Sequence, residues 1–216
     1  ISDSAFYDLL IHSITIPPSV TVIGSFSFYY CIVLTEVKFA ENSELKMIEE
    51  SAFRKCLIKS IIIPPHVKEI HNNVFSNCRE LKQIIFSNNS ELAKIINAFD
   101  SCAIECINSS HVKEICNEAF NFYENLIHVE FMENSELQLI GEKAKTKIKS
   151  IIIPSKVTEI SENAFFDCIN LSNVSFAEHS NLKIIGKNKF SNSKIEIIEI
   201  PLSVNQISDD AFTDCI

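Results

Sequence analysis

The chain of 216 residues is 46% hydrophobic and 22% charged, with a formal net charge of −9. That composition is globular rather than disordered, and an acidic balance with no basic patch argues against a nucleic-acid partner. No apolar run approaches the roughly 20 residues of a membrane-spanning helix, so no membrane insertion is expected within this segment.

The chain opens on Ile1-Ser2-Asp3-Ser4-Ala5-Phe6, which returns near its other end as Ile207-Ser208-Asp209-Asp210-Ala211-Phe212. Between them phenylalanine marks a register at Phe6, Phe28, Phe53, Phe75, Phe99, Phe120, Phe165, Phe190 and Phe212. Successive spacings are 22, 25, 22, 24, 21, 45, 25 and 22 residues, the 45 being two units with Lys145 in place of one Phe. Self-similarity at this period is the signature of a stacked-repeat array. Residues 1–9 read as the tail of one coil. The following coils fall at about 10–33, 34–56, 57–80, 81–102, 103–125, 126–147, 148–170, 171–194 and 195–216. They form a single repeat domain over 1–216. Both ends cut through the repeat without the polar caps that solenoids need, so the chain is expected to be part of a longer array.

Two coil flavours alternate. One reads Ile58-Lys59-Ser60-Ile61-Ile62-Ile63-Pro64-Pro65-His66-Val67-Lys68-Glu69-Ile70, and the other Leu34-Thr35-Glu36-Val37-Lys38-Phe39-Ala40-Glu41-Asn42-Ser43-Glu44-Leu45-Lys46-Met47-Ile48. In both, Leu/Ile-x-x-Ile/Val-x-Ile/Phe is a short strand buried with period 2. Pro ends the strand in the first flavour because it cannot donate to a ladder. Val67 and Ile70, or Leu45 and Ile48, turn inward again, and Phe75 or Phe53 plugs the far side. One coil cannot bury its apolar side alone. Stacked coils share a continuous core and set their strands in a parallel sheet at about 4.8 Å spacing.

Catalytic chemistry is not signalled. The chain lacks G-x-S-x-G, H-E-x-x-H, Walker and dinucleotide fingerprints. His12, His66, His71, His111, His128 and His179 scatter over different coils. No enzyme activity, cofactor or metal is therefore expected. Cys31, Cys56, Cys78, Cys102, Cys168 and Cys215 each stand three residues after a plug Phe, a repeat position that reads as a column of small packing thiols. Parallel side chains in neighbouring coils would hold Cβ atoms too far apart for disulfides. Cys102, Cys106, His111 and Cys116 approach a zinc-knuckle spacing, but the repeat spreads them around a coil and away from a tetrahedral site. N-x-S sequons begin at Asn88, Asn108, Asn170 and Asn173, close to the number chance supplies.

A solenoid usually binds on its concave sheet, whose surface comes from the strand positions that alternate with the core. Counting along the repeat gives a middle row of Thr15, Lys38, Ile62, Ile85, Ile107, Glu130, Ile152, Ser175 and Glu199. A flanking row contributes Gln83, Glu105, His128 and Asn173. Three successive isoleucines, Ile62, Ile85 and Ile107, form an apolar centre of the kind that marks protein contacts. Stacking of β-branched residues between strands is the plainer account of the same row. A large, shallow face suits a protein partner better than a metabolite. One chain acting as a monomer is the expected assembly.

Units such as Ile151-Ile152-Ile153-Pro154-Ser155-Lys156-Val157-Thr158-Glu159-Ile160-Ser161-Glu162-Asn163-Ala164-Phe165-Phe166-Asp167-Cys168 resemble the BspA-like leucine-rich repeats, and the resemblance covers essentially the whole chain. Departures are Lys145 at a plug, Tyr123 and Ser193 at the Cys position, and Ile107-Asn108-Ser109 where a strand would end in Ile-Pro. The resemblance implies an α/β-type solenoid. This would be a right-handed leucine-rich repeat superhelix with a parallel concave β-sheet and short irregular or helical convex segments. It also implies a cell-surface or secreted adhesin or antigen of the type found in bacteria and parasitic protozoa. The partner class it implies is host extracellular-matrix protein. A cytoplasmic protein-interaction scaffold using the same face is the alternative.

Overall fold

Isoleucine and valine alternate with exposed residues along short parallel strands, as the period-2 reading requires: Ile61 and Ile63 are buried while Ile62 between them is 59% exposed. The computed structural model describes residues 1–87, 89–104, 106–109, 112–115, 128–131, 135–141 and 147–215. Of 106–109 and 128–130 it describes the backbone. The chain forms two compact units, Ile1–Ile104 and Glu105–Ile216.

In the first unit the four-residue strands are Ser13–Ile16, Glu36–Phe39, Ser60–Ile63 and Gln83–Phe86. A second ladder holds the two-residue strands Val22–Ile23, Met47–Ile48, Glu69–Ile70 and Lys94–Ile95. All pairing between them is parallel. In the second unit the longer strands are Cys106–Ser109, His128–Phe131, Ser150–Ile153 and Asn173–Phe176, again parallel. Its two-residue strands are Glu114–Ile115, Leu139–Ile140, Glu159–Ile160, Ile184–Ile185 and Gln206–Ile207.

The two sequence flavours use two turn chemistries between their strands. After Pro, a backbone turn closes from Val20 to Pro17, Val67 to Pro64, Val157 to Pro154 and Val204 to Pro201. In the other flavour a buried serine hydroxyl accepts the amide two residues on: Leu45 to Ser43, Leu92 to Ser90 and Leu137 to Ser135, at 3.2–3.4 Å. Serine side chains stabilise local turns in this way.

The plug phenylalanines form a stack inside each unit. Phe6–Phe28, Phe28–Phe53, Phe53–Phe75 and Phe75–Phe99 have centroids 4.8, 5.1, 5.7 and 5.5 Å apart and planes within 9°. Phe165, Phe190 and Phe212 repeat this at 5.4 and 5.5 Å. A third hydrogen-bonded row runs beside the stack, for example from the Phe28 amide to the Ala52 carbonyl at 2.8 Å and from Phe53 to Val74 at 2.9 Å.

Of the irregular or helical segments expected on this side, the irregular form is found: among the described residues these segments are turns, and no helix occurs. Backbone chirality supplies the reason. Two residues before and two after the plug, φ is positive, as at Ser51 and Lys55 around Phe53 and at Asn73 and Asn77 around Phe75. Left-handed residues every fourth position interrupt a right-handed helix before it completes a turn. The core therefore consists of three β-type rows in each unit, with aliphatic side chains and the Phe column between them.

Candidate functional site

The ladder of longer strands fixes which side chains face outward. In the first unit Thr15 pairs with Lys38, and Ile62 pairs with Ile85. Gln83 sits opposite Ser60 in the flanking row. All five predicted residues are exposed. Ile62 and Ile85 keep 59% and 39% of their surface in solvent, and the Lys38 amine pairs with Glu36 at 2.9 Å. In the second unit Ile152 pairs with Ser175, and Asn173 with Ser150. Ile152 is 57% exposed, and both Asn173 and Ser175 are exposed.

Two predicted positions are corrected. Ile107 does not pair with Glu130. It pairs with Val129, and Asn108 holds the place opposite Glu130. His128 pairs with Cys106 rather than with Glu105, which lies outside the described residues. The cause is a one-residue offset in counting the coil. Such a slip exchanges the two faces of a strand. Glu199 is exposed, but residues 196–200 form no strand. The ladder beyond Asn173–Phe176 is reduced to the Lys194 amide on the Leu171 carbonyl at 2.9 Å. Glu196 and Glu199 bracket this segment, and charged residues of this kind are poor strand formers. Ile197 is 80% exposed as a result. A groove of about 940 Å³ opens between Asn173–Phe176 and the Glu196–Ser203 segment.

A groove of about 500 Å³ in the first unit begins on the predicted row, with Lys38 and Ile62 in its wall. Pro64, Pro65 and His66 line one side, and Glu41 and Glu44 the other. His66 Nδ1 lies 2.8 Å from Glu91 Oε1, and Lys68 Nζ is 3.8 Å from Glu91 Oε2. The His66 hydrogen bond holds the Glu91 carboxyl below its usual range. In the second unit Lys156, at the repeat position of His66, pairs with Glu136 of the preceding coil instead. Alternating flavours thus set cations of the Pro-type coils against carboxylates of the Ser-type coils. The predicted residues do not include these loops. Their signal is the alternation itself, because Pro-x-His/Lys and Asn-Ser-Glu turns recur in neighbouring coils.

The cysteine column is an element of the core. Cys31, Cys56, Cys78 and Cys102 are buried free thiols, Cys168 is buried, and Cys215 is half-buried. Among the described residues no three His, Cys, Asp or Glu side chains are placed to hold a metal ion. Of the zinc-like spacing, the Cys106 side chain, His111 and Cys116 lie outside the described set. Among the described residues no helix is long and apolar enough to cross a membrane.

The pneumococcal vaccine antigen PcpA shares the fold, with a TM-score of 0.58 and 20% identity over 94% of this chain; the match spans 60% of that antigen's chain. A leucine-rich repeat protein from Bacteroides ovatus aligns with a TM-score of 0.54 and 22% identity, over 95% of this chain and 77% of its own. A leucine-rich cell-surface protein from Faecalibacterium prausnitzii aligns at 0.51 and 22%, over 100% and 74%. No curated protein matches the chain significantly. The model of the BspA-type leucine-rich repeat region, in six copies, matches residues 1–109 and 94–216. Parallel coils, a Phe column, a family model spanning the sequence and solenoid neighbours agree, and the chain belongs to the BspA-type leucine-rich repeat family.

Proposed function

We propose that the chain is a non-enzymatic protein-recognition module that holds a protein partner along its sheet of longer strands. The observation behind this reading is the pairing of Ile62 with Ile85. Both are substantially exposed, and Ile62 also lines the groove of about 500 Å³. β-Branched side chains left in solvent within a regular ladder offer apolar area that a partner can cover. Polar neighbours such as Gln83, Thr15 and Lys38 supply the rim that interfaces of this type carry. Extracellular-matrix protein is the proposed partner class, and a cell-surface or secreted antigen or adhesin the proposed setting. Repetition along a longer array would add avidity to modest contacts.

Beads carrying the full chain should adhere to a surface coated with purified matrix proteins, and beads carrying Ile85→Glu should lose that adhesion. Equal adhesion of the two would remove the sheet from the account. A cytoplasmic scaffold using the same sheet is the second reading, favoured by the buried free thiols Cys31, Cys56, Cys78 and Cys102, since persistent free thiols are commonest in reducing compartments. Labelling intact source cells with a non-permeant biotin reagent separates the two. A labelled chain beside an unlabelled internal control supports the surface setting; an unlabelled, well-expressed chain supports the scaffold.

A further inference from the structure

Each plug phenylalanine among the described residues is flanked two residues before and after by a residue with positive φ. Most described coils place Ser, Asn or Asp there, for instance Asn73 and Asn77, Asn163 and Asp167, or Asn188 and Asn192. Those residues tolerate the left-handed conformation, whereas bulky side chains are strained in it. The coil of Phe28 departs from the rule at both positions, with Phe26 at φ 56° and Tyr30 at φ 64°. The next coil has Lys55 at φ 64°. Burial does not account for the aromatics, because Phe26 and Tyr30 remain 38% and 40% exposed. Unfavourable backbone conformations kept by side chains that stay out of the core tend to mark functional positions.

These side chains gather on one surface of the first unit. Tyr7 stacks on Tyr29 at 5.3 Å, Phe26 lies 5.7 Å from Tyr29, and Tyr30 lies 6.1 Å from it. The Lys55 ammonium sits 5.0 Å from the Tyr30 ring centroid and 5.8 Å from that of Tyr29, in cation–π range. Beside it, Arg54 Nε is buried with no hydrogen-bond partner among the described residues. Asp8 stands in the same left-handed row on the far side of Tyr30, so the positive end of the surface is the Arg54–Lys55 end. Tyrosine and arginine are the residues that dominate protein hot spots.

We propose that Tyr7, Phe26, Tyr29, Tyr30, Arg54 and Lys55 form a second docking surface, separate from the strand sheet, for a protein segment carrying an apolar anchor flanked by carboxylates. The anchor covers the exposed rings. The carboxylates face the Lys55 ammonium. Charge complementarity selects the acidic partner.

A random peptide library displayed on phage tests this by selection on the immobilised full chain with counter-selection on the Tyr30→Asn/Lys55→Asn variant. The enriched peptides should carry Phe, Leu or Tyr beside Asp or Glu. A synthetic representative should bind the native chain at least about tenfold more tightly than the variant. Ile62→Glu/Ile85→Glu should bind that peptide normally, which keeps this surface distinct from the sheet. The variant's Tm should equal or exceed the native value, because Asn suits the left-handed position. No enrichment, a basic consensus, equal binding by the variant, or a Tm lowered by several degrees would each overturn the proposal, the last by showing that the rings are structural.

Discussion

The Cys56 thiol donates to the Phe28 carbonyl oxygen one coil earlier, at 3.1 Å. That oxygen already accepts the amide of Cys31, its own coil's cysteine, at 3.3 Å. The arrangement repeats. Phe53 O receives the Cys56 amide and the Cys78 thiol, and Phe75 O receives the Cys78 amide and the Cys102 thiol. Cys31 and Cys215 donate to Phe6 and Phe190 in the same way. Cys56, Cys78 and Cys102 therefore tie Phe28, Phe53 and Phe75 to the next coil through the second lone pair of a buried carbonyl. A small side chain with a donor is what the position requires.

Replacing Cys56 by Ala removes that donor but leaves the Phe28 carbonyl its amide, so the loss should be about 1–2 kcal/mol. Cys56→Ser keeps a hydroxyl donor and should cost less than Cys56→Ala. Urea denaturation of both variants checks the order. Equal losses would show that volume rather than the hydrogen bond matters.

Burial pushes the Cys78 thiol from its ordinary 9.0 up to about 12, and burial also raises Cys102 well above its ordinary value. Unfolded thiols ionise near 9 while the folded ones keep their protons. Their contribution to stability is thus complete below pH 9 and is lost as pH rises from about 9 to 12. Each such thiol steepens the alkaline decline by about 1.4 kcal/mol per pH unit. Unfolding free energies at pH 8 and pH 10 should therefore differ less in Cys78→Ser than in the native chain. An unchanged difference would contradict the assignment.

Phe53 is fully buried between Phe28 and Phe75, so Phe53→Ala should destabilise by about 3–5 kcal/mol. Phe212 is half-buried, with Phe190 stacked against it. Phe212→Ala should cost clearly less, as expected where stability is a sum over neighbouring coils. Calorimetry of the two variants tests this ordering.

Ile61 is 1% exposed and its neighbour Ile62 is 59% exposed. Ile61→Glu puts a charge into the core and should leave little folded protein. Ile62→Glu should change Tm by no more than a few degrees. Circular dichroism and thermal melts distinguish the outcomes, and a folded Ile61→Glu chain would contradict the register.

Much of this was legible in the sequence. The Phe spacing exposes the coil period, and the alternation in Ser60-Ile61-Ile62-Ile63 identifies the outward residues. The register at Ile107 is legible as well. Ile58 and Ile104 both follow their plug by five residues and both are buried, and counting from Ile104 places Ile107 beneath Ile61. Turn conformation was harder to see. Ser51 and Lys55, or Asn73 and Asn77, signal left-handed backbone only once their positions are measured from the plug. The second lone pair of a carbonyl leaves no pattern at all, so the sequence marks these cysteines only as small packing residues. Aromatics such as Phe26 and Tyr30 became notable only when their φ angles and their exposure were known together.

The most direct measurement of the central claim is binding of the full chain, and of Ile62→Glu/Ile85→Glu, to immobilised matrix proteins by biolayer interferometry. The account predicts a partner bound by the native chain and weakened at least about tenfold by the double substitution, with Tm little changed. Binding that survives the double substitution, or no binding by the native chain, would contradict recognition through the strand sheet.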